Sequence, residues 1–163
     1  MTLAVGAGDR YRFAWVVEKA TELGVGSVIP LECERSAGVA SKLRAQHLER
    51  LRRHGLEAVK QSGAAWAAQV EDPVSLDVFA SRALAGKGWV ADAGGSPIPA
   101  LLGDTALTVV VGPEGGLTTA ELERLRAAGY RPVSLGPHTL RFETAAIAAA
   151  AGAVAARLRG NDG

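Results

Sequence analysis

Short apolar runs alternate with segments of helical periodicity along most of the chain. The apolar runs predict buried strands at residues 2–5, 27–32, 67–71, 88–92, 106–111 and 131–135. The periodic segments predict helices at residues 10–23, 42–61, 75–84, 119–128 and 144–159. Because strands and helices alternate, we expect an α/β fold whose mostly parallel sheet is covered by helices on both faces.

Residue types that cap helices stand before four of the predicted helices. Asp9, Ser41, Ser75 and Thr118 occupy N-cap positions, where a side-chain oxygen accepts hydrogen bonds from N–H groups of the first turn. Glu121 follows Thr118 by three residues, and this T-x-x-E spacing predicts a capping box. The starts of these helices are therefore better defined by the sequence than their ends.

The composition of the 163 residues is that of a globular protein, with 48% hydrophobic and 21% charged residues. The net charge of +1 excludes a general polycation, so any nucleic acid must bind to a local patch. The single cysteine, Cys33, excludes an internal disulfide and suggests a buried thiol in a reducing compartment. We find no membrane-spanning run, signal peptide or Cys/His metal motif, and we expect a cytoplasmic protein without a metal.

One helix carries a local excess of positive charge. Residues 42–60 contain six basic residues and two acidic ones. A basic helix can follow the phosphates of a nucleic acid, and an ordinary solvated helix face shows the same pattern. The basic residues are Lys42, Arg44, Arg50, Arg52, Arg53 and Lys60, and the acidic ones are Glu49 and Glu57.

A glycine-rich turn, GPEGG, follows the strongest predicted strand at residues 112–116. Ligands of open α/β sheets bind at the carboxyl ends of strands, and glycines allow a backbone to approach them closely. The turn matches neither common nucleotide-binding motif. A Walker loop needs Lys followed by Ser or Thr where Leu117 and Thr118 stand, and the glycines of GPEGG do not have the G-x-G-x-x-G spacing of a dinucleotide-binding loop. Because Glu114 would repel a phosphate, the turn favours a neutral or cationic ligand, unless it is a plain strand-to-helix turn.

A second loop, LGPHTLRFETAA at residues 135–146, also follows a strand and precedes a helix. It is rich in Gly and Pro and carries Arg141, Glu143 and Thr144. Since consecutive βα units place their loops at one end of a parallel sheet, we expect the two loops to lie side by side. Two such loops at one edge indicate a binding site.

The two motifs together resemble the RsmE family of SPOUT-class methyltransferases. The similar segments are VVVGPEGGLTTAELERL and VSLGPHTLRFETAA, with WVVEKATELGVGSVIPLECERS and AVKQSG upstream. Members of that family methylate N3 of a uridine in 16S ribosomal RNA of the small subunit. The resemblance covers nearly the whole chain and implies an α/β knot, in which the C-terminal segment threads through a loop to form a trefoil knot. It also implies a homodimer and S-adenosylmethionine as cofactor.

The resemblance assigns residues to each part of the site. Arg141 is expected to stabilise negative charge on the uracil or to grip a phosphate, and Glu143 to act as base or to hold Arg141, unless it is an ordinary helix-start residue. The candidate RNA contacts are Arg35, Ser36, Arg52 and Arg53. The candidate cofactor contacts are Gly112, Pro113, Gly115, Gly116, Leu135, Gly136, Leu140 and Thr144.

Family members also carry an N-terminal RNA-binding domain that resembles a PUA domain. This chain begins directly at the methyltransferase core, so we expect residues 1–163 to form one SPOUT methyltransferase domain without the PUA-like domain. Three other functions compete with this interpretation: a SPOUT enzyme with another nucleotide target, a non-catalytic RNA-binding or dimerisation module, and a nucleotide-binding α/β domain. The missing phosphate motifs argue against the last of these.

Overall fold

A parallel β-sheet forms the centre of the computed structural model, which describes residues 1–36 and 45–161. Its strands are β1 (Thr2–Gly6), β2 (Ser27–Glu32), β3 (Gln69–Val70), β4 (Val74–Ser75), β5 (Lys87–Pro97), β6 (Leu107–Val111) and β7 (Tyr130–Ser134). The helices are α1 (Arg10–Glu22), α2 (Ala45–Ser62), α3 (Leu76–Ala80), α4 (Thr119–Ala127) and α5 (Phe142–Asn161). A short 3-10 helix spans Glu34–Ser36.

The strand order is β3-β2-β1-β6-β5-β7, and β4 pairs with the later part of β2. Every pair of strands in the described part of the chain is parallel. The predicted parallel α/β architecture is therefore confirmed. Because β6, β5 and β7 are neighbours, the segments that leave their carboxyl ends share one edge of the sheet.

The two faces of the sheet carry separate hydrophobic clusters, as the alternation of side chains along a strand requires. Leu3 and Val5 of β1 pack in the cluster that α1, α2 and α5 cover. Ala4, between them, packs in the cluster that α3 and α4 cover. The predicted arrangement of helices on both faces is thus confirmed.

Helix α5 packs through small side chains beneath a loop that joins β5 to β6. The amide of Leu102 in that loop donates to the carbonyl of Ala156 (3.0 Å), and Nη2 of Arg157 donates to the carbonyl of Thr105 (2.6 Å). Small side chains let the helix backbone lie close to its neighbours. The fully buried alanines of this face are Ala146, Ala149, Ala150, Ala153 and Ala156.

Three of the four predicted N-caps are confirmed. The side chain of Asp9 accepts from two amides of α1, that of Ser75 accepts from Val78, and Thr118 and Glu121 form the capping box. The fourth, Ser41, lies outside the described residues.

Several predicted boundaries were wrong. The strand expected at 88–92 extends to Pro97, because Val133 of β7 pairs with both Ala91 and Ser96 and the residues between them bulge out. Helix α3 ends at Ala80 rather than at residue 84. Helix α5 begins at Phe142, two residues early, because the Phe142 ring is buried against Gly8.

Candidate functional site

A cavity of about 240 Å³ lies at the carboxyl ends of β5, β6 and β7. We call residues 112–118 the first loop, residues 135–141 the second loop, and the space between them the loop cavity. Both loops line it, which confirms that they lie side by side. Six of the eight residues expected to contact the cofactor are in its lining: Gly112, Pro113, Gly116, Leu135, Gly136 and Leu140.

The lining of the loop cavity is mostly apolar, and within the described residues its one acidic side chain is Asp92. Asp92 and His138 are the ionisable residues of the lining, and no lysine or arginine of the described chain belongs to it. The Asp92 carboxylate is 24% exposed and lies 3.5 Å from Nη2 of Arg126. The apolar side chains are Val111, Leu117, Leu122, Leu135, Leu140 and Phe142. A phosphate would find no cationic side chain in this lining.

The first loop needs its glycines for two reasons. Gly116 has φ of +71°, a left-handed conformation that is costly for other residues, and its amide donates to the carbonyl of Pro113 (2.8 Å). A Cβ on Gly112 would lie 3.0 Å from Cγ of Leu117. The loop is therefore a tight turn, and one wall of the cavity is bare backbone.

Arg35 fastens the first loop from outside the cavity. Its Nη1 donates to the carbonyl of Gly115 (2.7 Å), and a Cβ on Gly115 would lie 3.2 Å from Cβ of Arg35. Gly115 is thus covered by Arg35 and does not line the cavity. Arg35, which we expected to contact RNA, has a direct structural role at this turn.

Glu121 connects the 3-10 helix to the start of α4. Its side chain is almost fully buried, and its Oε1 and Oε2 accept from the amides of Glu34 and Thr118, both at 2.8 Å. The hydroxyl of Thr118 accepts in turn from the amide of Glu121 (3.2 Å). One buried carboxylate therefore holds together the segment that carries Arg35 and the segment that closes the first loop.

Ser36 and Cys33 form a buried turn behind Arg35. The hydroxyl of Ser36 accepts from the amide of Cys33 (3.0 Å), and Ser36 is 3% exposed. We therefore leave Ser36 out of the RNA-contacting surface. The predicted burial of the Cys33 thiol is confirmed. Burial and the nearby charge of Glu121 raise the pKa of Cys33 to about 12, so the thiol stays protonated at neutral pH.

Arg12, at the start of α1, links the first loop to the first turn of α5. Its Nη1 donates to Oε1 of Glu114 in the first loop (2.7 Å), and its Nε lies 3.8 Å from Oε1 of Glu143. The side chain of Glu143 is 7% exposed, and its Oε2 is buried without a hydrogen-bond partner. Glu114 thus fastens the first loop to α1, and Glu143 is paired with Arg12.

The other predicted site residues, in the second loop and in the first turn of α5, lie outside the lining of the loop cavity. Arg141 and Thr144 are exposed, and neither belongs to the lining of the loop cavity. Glu143 is also outside that lining. Arg141 follows Leu140 and precedes Phe142, which both line the cavity, so its backbone lies beside the cavity while its side chain is exposed.

The two predicted RNA contacts on α2 differ in their surroundings. Nε of Arg52 donates to the carbonyl of Val70 (3.1 Å), and its Nη2 donates to Asp72 (3.2 Å), so Arg52 joins the helix to the segment after β3. Arg53 is exposed. Lys42 and Arg44, which contribute to the basic excess, lie outside the described residues.

Sequence reasoning missed Asp92 and Arg12. Asp92 follows the buried start of β5 at the carboxyl edge of the sheet, and that position is a signal that could have identified it. Arg12 carried no such signal, because its partner Glu114 is 102 residues away. In the described part of the chain, no helix is both long and apolar enough to cross a membrane, and no three metal-ligating side chains are grouped around a common point.

Comparisons with known proteins show the family of this chain. A family model described as an RNA methyltransferase domain matches residues 1–154. The ribosomal RNA small subunit methyltransferase E of Aquifex aeolicus is 34% identical over 135 residues, or 81% of this chain. The chain spans 58% of the length of that relative.

Two solved structures share the fold over most of the chain. A Legionella pneumophila protein, described as a methyltransferase in complex with the bound cofactor SAM, is 29% identical with a TM-score of 0.87. The match covers 96% of this chain and 66% of the Legionella chain. The ribosomal RNA small subunit methyltransferase E of Neisseria gonorrhoeae, bound to S-adenosyl methionine, is 27% identical with a TM-score of 0.82. That match covers 92% of this chain and 63% of the Neisseria chain.

Proposed function

Because this chain belongs to the RNA methyltransferase domain family, we propose that it transfers a methyl group from S-adenosylmethionine to N3 of a uridine in 16S ribosomal RNA of the small subunit. The observation that carries the proposal is the loop cavity itself. Two Gly-Pro loops enclose it, its lining lacks lysine and arginine, and a carboxylate, Asp92, lies at its edge.

The lining of the loop cavity fits this cofactor. S-adenosylmethionine has a sulfonium cation and an adenine ring but no phosphate. Apolar side chains such as Leu135 and Leu140 suit the ring, and the backbone of Gly112 and Gly136 offers it hydrogen-bonding groups at close range. The negative charge of Asp92 favours the cation. We assign cofactor binding to the six lining residues of the two loops, and an indirect role to Gly115 beneath Arg35.

When bound, the cofactor supplies an electrophilic methyl group on a positively charged sulfur. The uracil N3 carries a proton at neutral pH and must lose it to accept that group. We assign Arg141 the role of stabilising the negative charge that develops on the uracil oxygens, because its side chain is exposed and its neighbours Leu140 and Phe142 line the cavity. A guanidinium stays charged at any pH of interest, so this contribution does not depend on a proton.

Glu143 is our candidate for the acceptor of the N3 proton. Its Oε2 has free lone pairs, and the Arg12 guanidinium 3.8 Å from Oε1 keeps a positive charge beside it. Because Glu143 is buried, the residues that cover it must shift for the carboxylate to reach the uracil. Replacing Glu143 with Gln keeps the shape and removes the basic oxygen, so the variant should bind the cofactor normally and lose transfer.

We further propose that residues 1–163 form one SPOUT methyltransferase domain with a trefoil knot and that it works as a cytoplasmic homodimer. The hydrogen bonds that join residues 102 and 105 to helix α5 support the knot, because they place the β5–β6 loop across the C-terminal helix. Equilibrium sedimentation of the chain would test the dimer directly.

The first experiment is a calorimetric titration of S-adenosylmethionine into the chain and into a Gly112→Val variant. The added side chain would collide with Leu117 at the wall of the loop cavity. Gly103→Val is the matched control, because a Cβ at Gly103 has open space around it. We expect binding by the parent and the control, and loss of binding by Gly112→Val. A folded parent that binds no cofactor would overturn the proposed function.

The second experiment identifies the product. The chain is incubated with labelled cofactor and either 16S ribosomal RNA or small subunits, and the digested nucleosides are analysed by mass spectrometry. N3-methyluridine is the expected product. A methyl group on another atom would favour a SPOUT enzyme with a different target, and cofactor binding without transfer to either acceptor would favour a non-catalytic module.

A further inference from the structure

A second groove lies between α1 and α2, and it shares no lining residue with the loop cavity. Its volume is about 270 Å³. We call it the helix groove; the lining residues that carry the argument are Arg10, Tyr11, Trp15, His47, Arg50 and His54. The proposed chemistry makes no use of it.

Two aromatic side chains of the helix groove are unusually exposed. Tyr11 is 76% exposed and Trp15 is 48% exposed, although burial of large aromatic rings is favourable. They lie one helical turn apart on α1, and the groove beside them is open to solvent. Exposed rings of this kind are platforms on which unpaired bases stack, and such stacking tolerates any base sequence.

The charges of the helix groove are mostly positive. Arg10 and Arg50 line it together with two histidines, against one carboxylate from Glu18. Nη1 of Arg10 lies 2.7 Å from Nε2 of His47. Since a guanidinium can only donate, Nε2 accepts and the proton of the neutral ring is on Nδ1. That Nδ1 is buried without a partner, and the donors that the groove offers to a ligand are the guanidiniums of Arg10 and Arg50.

The positive surface continues from the helix groove in one direction and approaches the loop cavity in the other. Arg53 lines an adjoining depression together with Glu57 and with Arg50 and His54, which also line the groove. At the opposite end, Tyr11 is followed directly by Arg12, whose guanidinium contacts Glu114 of the first loop. A ligand lying in the groove would therefore pass close to the proposed reaction site.

We infer that the helix groove binds a single-stranded segment of the RNA substrate next to the target uridine. Bases stack on Tyr11 and Trp15, and Arg10 and Arg50 contact the phosphates. Single-stranded RNA is the occupant that matches both features, because it presents flat bases and an acceptor-rich, negatively charged backbone. The inference rests on the proposed function, since that function supplies the RNA.

The test measures RNA binding without cofactor, by fluorescence anisotropy of a fluorescein-labelled, uridine-rich 12-nucleotide RNA. The variants are Trp15→Ala and Arg50→Gln. Trp66→Ala is the matched aromatic control, because Trp66 is 55% exposed and lies outside the groove. Arg82→Gln is the matched charge control on the other face of the sheet. Thermal melting and cofactor calorimetry verify that each variant is folded.

We expect Trp15→Ala to weaken RNA binding at least fivefold, since stacking contributes about 1–3 kcal/mol per base. Arg50→Gln should lower the slope of log affinity against log salt by about 0.7, the value for one lost contact to a single strand. Cofactor affinity and both controls should stay within twofold of the parent. RNA affinities of the groove variants that equal those of the controls would overturn the inference.

Sedimentation of the same variants separates RNA binding from self-association. If Trp15→Ala turns a dimer into a monomer, the helix groove is an interface with a second copy and the inference fails. Failure of the proposed function has a different signature. The parent would then bind the RNA probe with Trp15-dependent affinity, yet bind no S-adenosylmethionine or leave 16S ribosomal RNA unmethylated.

Discussion

The carboxylate of Glu121 supports the first loop, and its removal should loosen the loop from a distance. In a Glu121→Ala variant, the amides of Glu34 and Thr118 both lose their acceptor. Hydrogen bonds to charged groups contribute roughly 1.5–3 kcal/mol each. The amides are only partly buried, so water could hydrogen-bond to them in place of the carboxylate and recover part of that energy. We therefore expect the free energy of unfolding to fall by about 3 kcal/mol.

Urea denaturation followed by circular dichroism measures this loss. Glu123→Ala is the matched control, because Glu123 lies on the same helix and is exposed, and its effect should stay within about 0.5 kcal/mol. Glu121→Gln retains one carbonyl oxygen and should lie between the two. Because Arg35 reaches Gly115 from the segment that Glu121 holds, calorimetry should also show weaker cofactor binding by Glu121→Ala. A loss of less than about 1 kcal/mol would refute the assigned role.

Three further predictions follow from the site. Arg12→Gln should leave the buried Glu143 carboxylate without its cation, so the free energy of unfolding should fall by about 1–3 kcal/mol. Denaturation at two ionic strengths should show a smaller loss in high salt. A loss that does not depend on salt would contradict the ion pair. Gly116→Ala should cost about 1–2 kcal/mol of stability because of its φ of +71°, whereas Gly103→Ala, in open space, should cost less than about 0.5 kcal/mol. Burial raises the pKa of Cys33 to about 12 from its ordinary value of 9.0. Iodoacetamide at pH 8 should therefore alkylate Cys33 only in urea, and the free energy of unfolding should fall as pH rises from 9 toward 12, because the thiol then ionises only in the unfolded chain. A Cys33→Ala variant should show a shallower alkaline decline.

Local patterns predicted the strand-helix alternation and the position of the two loops. Apolar runs such as residues 106–111 and caps such as Asp9 depend on neighbouring residues, so the sequence carries them directly. The boundaries that failed depend on distant contacts. Phe142 extends α5 because it packs against Gly8, and β5 continues past its bulge because Val133 of a later strand pairs with it twice.

The candidate site shows the same division between local and distant information. Gly112, Pro113, Gly116 and Gly136 line the cavity as expected, because turn geometry and the parallel sheet place them there. The role of Arg35 was not predictable, because it depends on how the 3-10 helix lies over Gly115. The contact between Arg12 and Glu143 likewise joins the first helix to the last, and no pattern within either segment indicates it.

The position of α5 has a consequence for the order in which the protein folds during synthesis. Helix α5 covers β1 and β6 with its alanine face, and Ala156 accepts a hydrogen bond from Leu102. Contacts between the two ends of a chain close late, because the intervening loop loses entropy before they form. The part of this apolar surface that α5 covers therefore stays exposed until that helix has been synthesised and has docked, although α1 and α2 already cover the rest. Until then the nascent chain exposes apolar strand surface. A chain that ends near residue 150 because its ribosome stalled should therefore be prone to aggregation.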